Sequence, residues 1–409
     1  MGAESFRQQL QRLLDHHGWK LPRLAKVAGY NRGYLWEVAT GLKRPSSVLV
    51  ADLDKALAGG GTLVTAWEGG DGEVDRRELL RDLGALALLT PLAGVESIRQ
   101  DLTRALAGPT GDDSDQWEEI VDEYAQTFYL TTPGTLLRDL LADITVLEHQ
   151  LAGAGESQRA SLARSAGHLA AITAMTWASL GQQRQARRWW QTARQAADRS
   201  GDTATRVWVR GWEVANGLYE QRPVKLILDR AAEARAIAAD RVDAGAVGLY
   251  AGLAQTLAVA GRPEAVDALH RVDELTLAVP AHVGADGDSM FGWPEVRLRH
   301  TESYVYTALG DTSRAYAAQD AALALYGAGL ARERAAMLLH RAHCMIKDGD
   351  VSGGIGHAHN VLDQLPAEHH THLVYAVARD VLSAVPGPDQ TLAVADGLRE
   401  RLTLPASRA

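Results

Sequence analysis

Trp208, Trp212, Asn216 and Tyr219 recur at intervals of three or four, the spacing that gathers side chains on one face of a helix. Arg206 and Arg210 fall on an adjoining face, and five of the ten tryptophans crowd between 177 and 212. Indole walls beside amide and guanidinium donors can grip a peptide backbone or an acidic small molecule without any bond being made or broken. Tryptophans at such positions equally fill the core between packed helices, and spacing alone leaves both readings open.

Signals for covalent chemistry are weaker. The chain has no GxxxxGK[ST] loop, no HExxH and no GxSxG. Gly287-Asp288-Ser289-Met290-Phe291 begins like a nucleophile elbow, but the closing glycine is missing and no strand precedes it. Histidines cluster late, at His340, His343, His357, His359, His369, His370 and His372. His340 and His343 share a helix face beside Cys344, the start of a metal site or simply solvated helix ends, and no spacing fixes four ligands. Neither an enzyme nor a bound metal or cofactor is expected.

The elements that must carry these residues read as helices throughout, so the expected fold class is all-α. Period-two alternation is absent, and connections are short and rich in Gly, Pro or Asp. Trp117, Ile120, Val121, Tyr124 and Phe128 form one helical face; Leu136, Leu140, Ile144, Leu147 and Leu151 form the next. Asp115 with Glu118 suggests a capping box for the first, and Thr132-Pro133 marks the start of the second.

Beyond about residue 155 the chain repeats. Leu180-Gly181 is followed by Ala186, Trp190 and Ala193; Leu309-Gly310-Asp311 by Ala315, Gln319 and Ala322; Gly349-Asp350 by Gly354, Ala358 and Val361. Ala260-Gly261 precedes Ala265 and Leu269, one position out of step, and a degenerate unit is expected near Glu220-Gln221-Arg222-Pro223. A turn glycine followed by small, large and small residues resembles tetratricopeptide (TPR) repeats, with a longer period than theirs. The resemblance implies stacked helix pairs forming a solenoid with a concave groove. The insertion at 279–294, with Gly284, Gly287 and Phe291, lengthens one unit and would serve as a lid or as a plain long turn.

At 409 residues the chain exceeds one hydrophobic core. Glycines at 59–61 and 69–72, and the acidic stretch GPTGDDSD at 108–115, suggest boundaries: 1–68, a connecting segment 69–115, and a repeat body 116–409. Residues 1–70 hold nine basic and six acidic side chains, so a basic head precedes a body that carries the whole-chain charge to −9. A local basic patch is what phosphate contacts require. No run approaches the roughly 18 apolar residues that span a bilayer, the N-terminus lacks a secretory h-region, and Cys344 is the sole cysteine. A cytoplasmic protein without membrane partners is expected.

Within the head, Phe6, Leu10, Leu13 and Leu14 make the face of a first helix that ends at Gly18. A second helix spans 21–28 with small Ala25 at a close crossing, Gly29 supplies the turn, and Asn31 caps a third at 32–40 that Gly41 ends. Leu35 and Val38 of that helix face the core, with a further helix at 48–57 beneath. The stretch LPRLAKVAGYNRGYLWEVATGLKRPS resembles the XRE family, the lambda-repressor-like helix-turn-helix proteins, down to the Gly41-Leu42-Lys43-Arg44-Pro45-Ser46 ending.

That resemblance, over roughly 55 residues, implies double-stranded DNA as partner. Arg32, Gly33, Trp36, Glu37 and Thr40 would face bases beside the Asn31 cap, Arg32 toward a guanine edge and Glu37 toward cytosine. Lys20, Arg23, Lys43 and Arg44 would hold phosphates. Trp36 stands where the family usually has Ser, and Ala39 where many members have Glu. WEEIVDEYAQTFYLTTPGTLL, FGWPEVRLRHTESYVYTALGDTSRA and KDGDVSGGIGHAHNVLDQLP are similar to segments of actinobacterial XRE regulators with TPR-like C-terminal domains. In architecture alone the chain is similar to the Rap, NprR, PlcR and PrgX group, whose repeats bind signalling peptides. The expectation is a homodimeric transcriptional regulator that senses a peptide or small molecule; the alternative is a protein-interaction scaffold in which DNA binding is secondary.

Overall fold

All regular structure among the described residues is helical. The computed structural model describes residues 6–28, 35, 38–39, 47–66, 113–285, 287, 289–327 and 329–403. The chain divides into two compact units, Met1–Pro91 and Leu92–Ala409, so the division falls inside the segment 69–115. No described helix is long and apolar enough to cross a membrane.

In the first unit, α1 (Phe6–His16), α2 (Leu21–Ala28) and α3 (Ser47–Ala56) surround one core. Leu10, Leu14, Leu24, Ala25, Leu49, Leu53 and Leu57 fill it, and Leu35 and Val38 of the expected third helix are buried among them. Gly18 takes a left-handed backbone (φ +60°), and the chain turns there so that Trp19 N–H donates to Leu14 O at 2.9 Å. Buried Asp54 accepts from the amides of Gly61 (2.6 Å) and Leu63 (2.8 Å), which fastens the helical turn 62–66 onto α3. The glycines at 59–61 are thus a structured turn within this unit.

The second unit opens with α4 (Asp113–Thr127) and α5 (Pro133–Gly153). Thr132 precedes α5 as expected, without a side-chain cap bond. α4 corrects its expected start: it begins two residues before Asp115, which therefore sits inside the first turn, while Glu118 pairs with Arg164.

Six helix pairs follow: α6 (Glu156–Ser179) with α7 (Gln183–Ser200), α8 (Thr203–Gly217) with α9 (Val224–Ala238), and α10 (Ala244–Val259) with α11 (Glu264–Ala278). After the short α12 (Ala281–Ala285) come α13 (Glu295–Leu309) with α14 (Thr312–Leu325), α15 (Ala331–Lys347) with α16 (Val351–Gln364), and α17 (His372–Ser383) with α18 (Ala393–Thr403). The residues that carried the repeat pattern are the buried ones: Ala186, Trp190 and Ala193 in α7, Ala265 and Leu269 in α11, Ala315, Gln319 and Ala322 in α14, Gly354, Ala358 and Val361 in α16. Gly181, Gly261, Gly310 and Gly349 all hold left-handed turns (φ +65° to +97°). Gln221 does the same at φ +55°, so the degenerate unit keeps the turn without its glycine.

First helices of successive pairs pack side by side into an inner layer, and α17 returns to touch α6. His372 lies against Gly181 at that closure, and Gln221 Oε1 accepts from Arg379 Nε at 3.0 Å. Glycines allow backbone contact where α8 crosses α10: a Cβ on Gly252 would stand 2.6 Å from Ala215 N, and one on Gly211 would stand 2.6 Å from Gly245 O.

Candidate ligand cavity

Because the inner layer closes, its concave face forms a half-open cavity of about 220 Å³ lined from all six inner helices. Met175 and Ser179 come from α6, Gln255 from α10, Arg297 and His300 from α13, Glu333 from α15, and Val374 and Val377 from α17; Trp212 and Asn216 come from α8, with Tyr219 just past its end. Phe128 and Tyr129, which follow α4, close it on one side. Aromatic rings therefore form much of the wall, with polar groups spaced among them.

The sequence-derived ligand residues separate. Trp212, Asn216 and Tyr219 line this cavity. Trp208 lines a second one, stacked edge-on against His168 and tilted against Phe291, with ring centroids 4.9 and 5.0 Å away. Arg206 and Arg210 line neither. Arg206 Nε donates to Asp198 at 3.0 Å, and buried Arg210 bridges Asp198 (2.9 Å) and Glu233 (3.0 Å). Their guanidinium groups are spent joining α7, α8 and α9, which corrects the expectation that they face a ligand beside the tryptophans.

Asn216 Nδ2 donates to its own helix at Trp212 O, which leaves its carbonyl for the cavity. Gln255 is buried, and its side chain makes no hydrogen bond among the described residues. His300 links two phenols, with Nδ1 2.8 Å from Tyr326 Oη and Nε2 3.4 Å from Tyr219 Oη. Burial, helped by Arg297, pushes His300 down to about 4, and burial raises Tyr219 and Tyr326. The triad is therefore neutral near pH 7.

Arg297 donates from Nη1 to Gly292 O (2.5 Å) and from Nη2 to Ser289 O (2.9 Å) and Tyr129 Oη (3.3 Å), and it stacks over Tyr129 and Trp212. Arg332 Nη2 donates to Tyr129 O (2.7 Å) and Phe128 O (3.1 Å). Glu333 Oε2 is shut from solvent without a partner; burial raises its carboxyl above the usual range, opposed by Arg332 and Arg297.

The insertion at 279–294 folds inward. Met290 N–H donates to Ala125 O (3.0 Å), Trp293 N–H to Val283 O (2.8 Å), and Trp208 Nε1 to Met290 O (3.4 Å). Phe291 is wedged against Trp208 and His168 and parts the two cavities, so the segment is a plug built into the wall. Ser289, the nucleophile-elbow position, accepts from Phe291 N–H at 3.1 Å.

Two of the late histidines belong to the framework. Buried His340 bonds Ser303 Oγ through Nδ1 (2.9 Å), and His370 bonds Tyr375 Oη and Leu365 O. Cys344 lies beside Thr307 and Gln319. The solvated reading fails for these two histidines, and among the described residues no three His, Cys, Asp or Glu side chains converge as a metal site would require.

Of the DNA-facing residues, Lys20 and Arg23 are described: Lys20 is exposed, and Arg23 stacks over Trp19 at 4.7 Å. Asn31, Arg32, Gly33, Trp36, Glu37, Thr40, Lys43 and Arg44 lie outside the described residues. Sequence reasoning missed Tyr129, Gln255, Arg297, His300, Arg332 and Glu333, which are scattered over the chain and meet only when the ring closes. Comparison with protein-family models, with curated proteins and with solved structures finds nothing that matches this chain.

Proposed function

We propose that this chain is a sequence-specific DNA-binding transcriptional regulator, acting as a homodimer, whose TPR-like body binds a small effector in its central cavity. The observation that carries the reading is the cavity itself, lined by every inner helix and furnished with polar groups that have no partner among the described residues, in a chain that also has a basic N-terminal head. In that head, burial of Leu35 and Val38 supports the core-facing register that the helix-turn-helix pattern requires. Effector occupancy would act by favouring one spacing of two heads over another, and so one fit to paired half-sites.

Footprinting on the DNA flanking the protein's own gene tests this. Two protected half-sites are expected, with affinity falling steeply as salt rises because phosphate contacts release counterions. Arg32→Ala should cost about 1–3 kcal/mol and relax preference at one base pair. Binding flat in salt, or unchanged by Arg32→Ala, would replace this reading with that of a protein-interaction scaffold.

A further inference from the structure

The central cavity holds two guanidinium groups, those of Arg297 and Arg332, which have no close ion-pair partner among the described residues and feel the Glu333 carboxyl only at longer range. Arg297 spends three of its five N–H groups on two carbonyls and a phenol, leaving Nε and one Nη1 hydrogen. Arg332 spends Nη2 on two carbonyls, leaving Nε and Nη1. Neither forms an ion pair among the described residues, and a guanidinium cannot shed its charge when buried. Both are half-buried, and partly desolvated guanidinium groups with N–H donors to spare and no close counter-ion favour the arrival of an anion.

Other lining groups add donors, beside the Asn216 carbonyl as an acceptor. Buried Trp293 Nε1 has no acceptor, and the Gln255 amide is unused. Glu333, the one acid among the lining residues, is pressed by burial toward its protonated form, in which it donates. Phe128, Trp212 and Val377 supply apolar surface beside these donors. The volume of about 220 Å³ has room for a ring or short chain with an acid group.

We infer that the cavity takes a small apolar carboxylate, its anionic end held by Arg297 and Arg332 and its hydrocarbon end against Phe128 and Trp212. The inference rests on the effector half of the proposed function and is independent of the DNA half.

The test uses the full-length protein without DNA. Thermal unfolding and titration calorimetry are run with phenylacetate, 3-phenylpropanoate and octanoate, and with the neutral amide and the matched amine of each. At least one carboxylate should raise Tm at millimolar concentration and bind tenfold or more tighter than its amide and amine. Arg297→Gln and Arg332→Gln should each weaken that binding tenfold or more. Glu333→Gln, which keeps a donor and removes the negative form, should bind as tightly as the parent or tighter, and it remains decisive if an arginine variant fails to fold.

A preferred amine, or a Glu333→Gln variant that loses the carboxylate, would leave an effector cavity of opposite polarity and sink this inference alone. Silence from every probe would remove the inference and the effector half of the function together. Neither result bears on the footprint, whose failure would in turn leave this cavity standing.

Discussion

The two cavities follow one another along the same inner helices on either side of Trp208 and Phe291, yet they differ in what their charges are doing. The second cavity, of about 340 Å³, is rimmed by Glu118, Asp122, Asp202 and Asp243 with Arg164 and His168. Its charged groups are occupied. Asp202 caps α8 by accepting from Thr205 N–H at 2.7 Å, Asp243 caps α10 through Ala246 N–H at 2.9 Å, and Arg164 pairs with Glu118. In the central cavity, by contrast, Arg297, Arg332, Glu333, Gln255 and Trp293 all keep unspent donors or acceptors. Void space alone therefore does not designate a site; unsatisfied valence does, because the fold bears the cost of leaving it so.

What both cavities share is the α8–α10 crossing, and breaking it should give the largest effect. Gly252→Val places atoms inside 2.6–2.9 Å of the Val214–Ala215 backbone, with no flexible side chain to move aside. The helices must separate, at a cost of about 3 kcal/mol or more by the logic of overpacked cores. Urea unfolding should show that loss, and carboxylate binding should fall with it. A variant of parental stability would mean that the crossing is looser than these contacts require.

The sequence made the repeat legible, because turn glycines and small-large-small triplets are local and their burial follows from helix periodicity alone. Trp190 illustrates the limit: its place in the pattern predicted burial, but not that its Nε1 would donate to buried Glu220 at 2.6 Å, nor that Glu220, Arg222, Glu213 and Arg194 would form a charged cluster at the unit without a turn glycine. The cavity residues were hidden for a different reason. Met175, Ala215 and Gln255 each stand six positions before the turn residues Gly181, Gln221 and Gly261, so a register signal exists. It becomes readable only once Gln221 is known to be the turn, and ring closure, which brings Val374 and Val377 opposite α6, leaves no local trace. Arg206 and Arg210 misled because a helix surface beside tryptophans reads alike whether it meets a ligand or the next helix.

One histidine on each side of the partition sharpens the contrast through pH. Burial pushes both His168 and His300 from 6.5 down to about 4. As pH falls from 6.5 toward 4 the unfolded chain takes up these protons and the native state does not. Stability that is complete above 6.5 is therefore lost across that window, at about 2 kcal/mol per ring once partial hydration of the cavities is allowed for. His168→Gln and His300→Gln should each narrow their stability difference from the parent by that amount between pH 7 and pH 4, measured by urea unfolding. Glu333 and Asp380, both raised by burial, titrate alike in parent and variants and cancel. Saturating carboxylate should hold His300 protonated to higher pH and shrink its window while leaving that of His168 unchanged; an equal change at both would place the ligand in neither cavity specifically.

The smallest expected effect is the cleanest separator of the two cavities. Asp202→Ala removes a cap whose carboxylate oxygen Oδ2 serves both the amide (2.7 Å) and the hydroxyl (2.6 Å) of Thr205. Asp202 also sits below its ordinary range because those bonds outweigh the desolvation that opposes them. Loss of the cap should cost about 1 kcal/mol of stability. If the acid rim of the second cavity exists only to start helices, carboxylate affinity in the central cavity should stay within twofold of the parent, since α8 keeps its C-terminal half, where Trp212 and Asn216 stand. A tenfold loss would show that the two ends of the inner face act as one site, with Trp208 and Phe291 coupling them rather than keeping them apart.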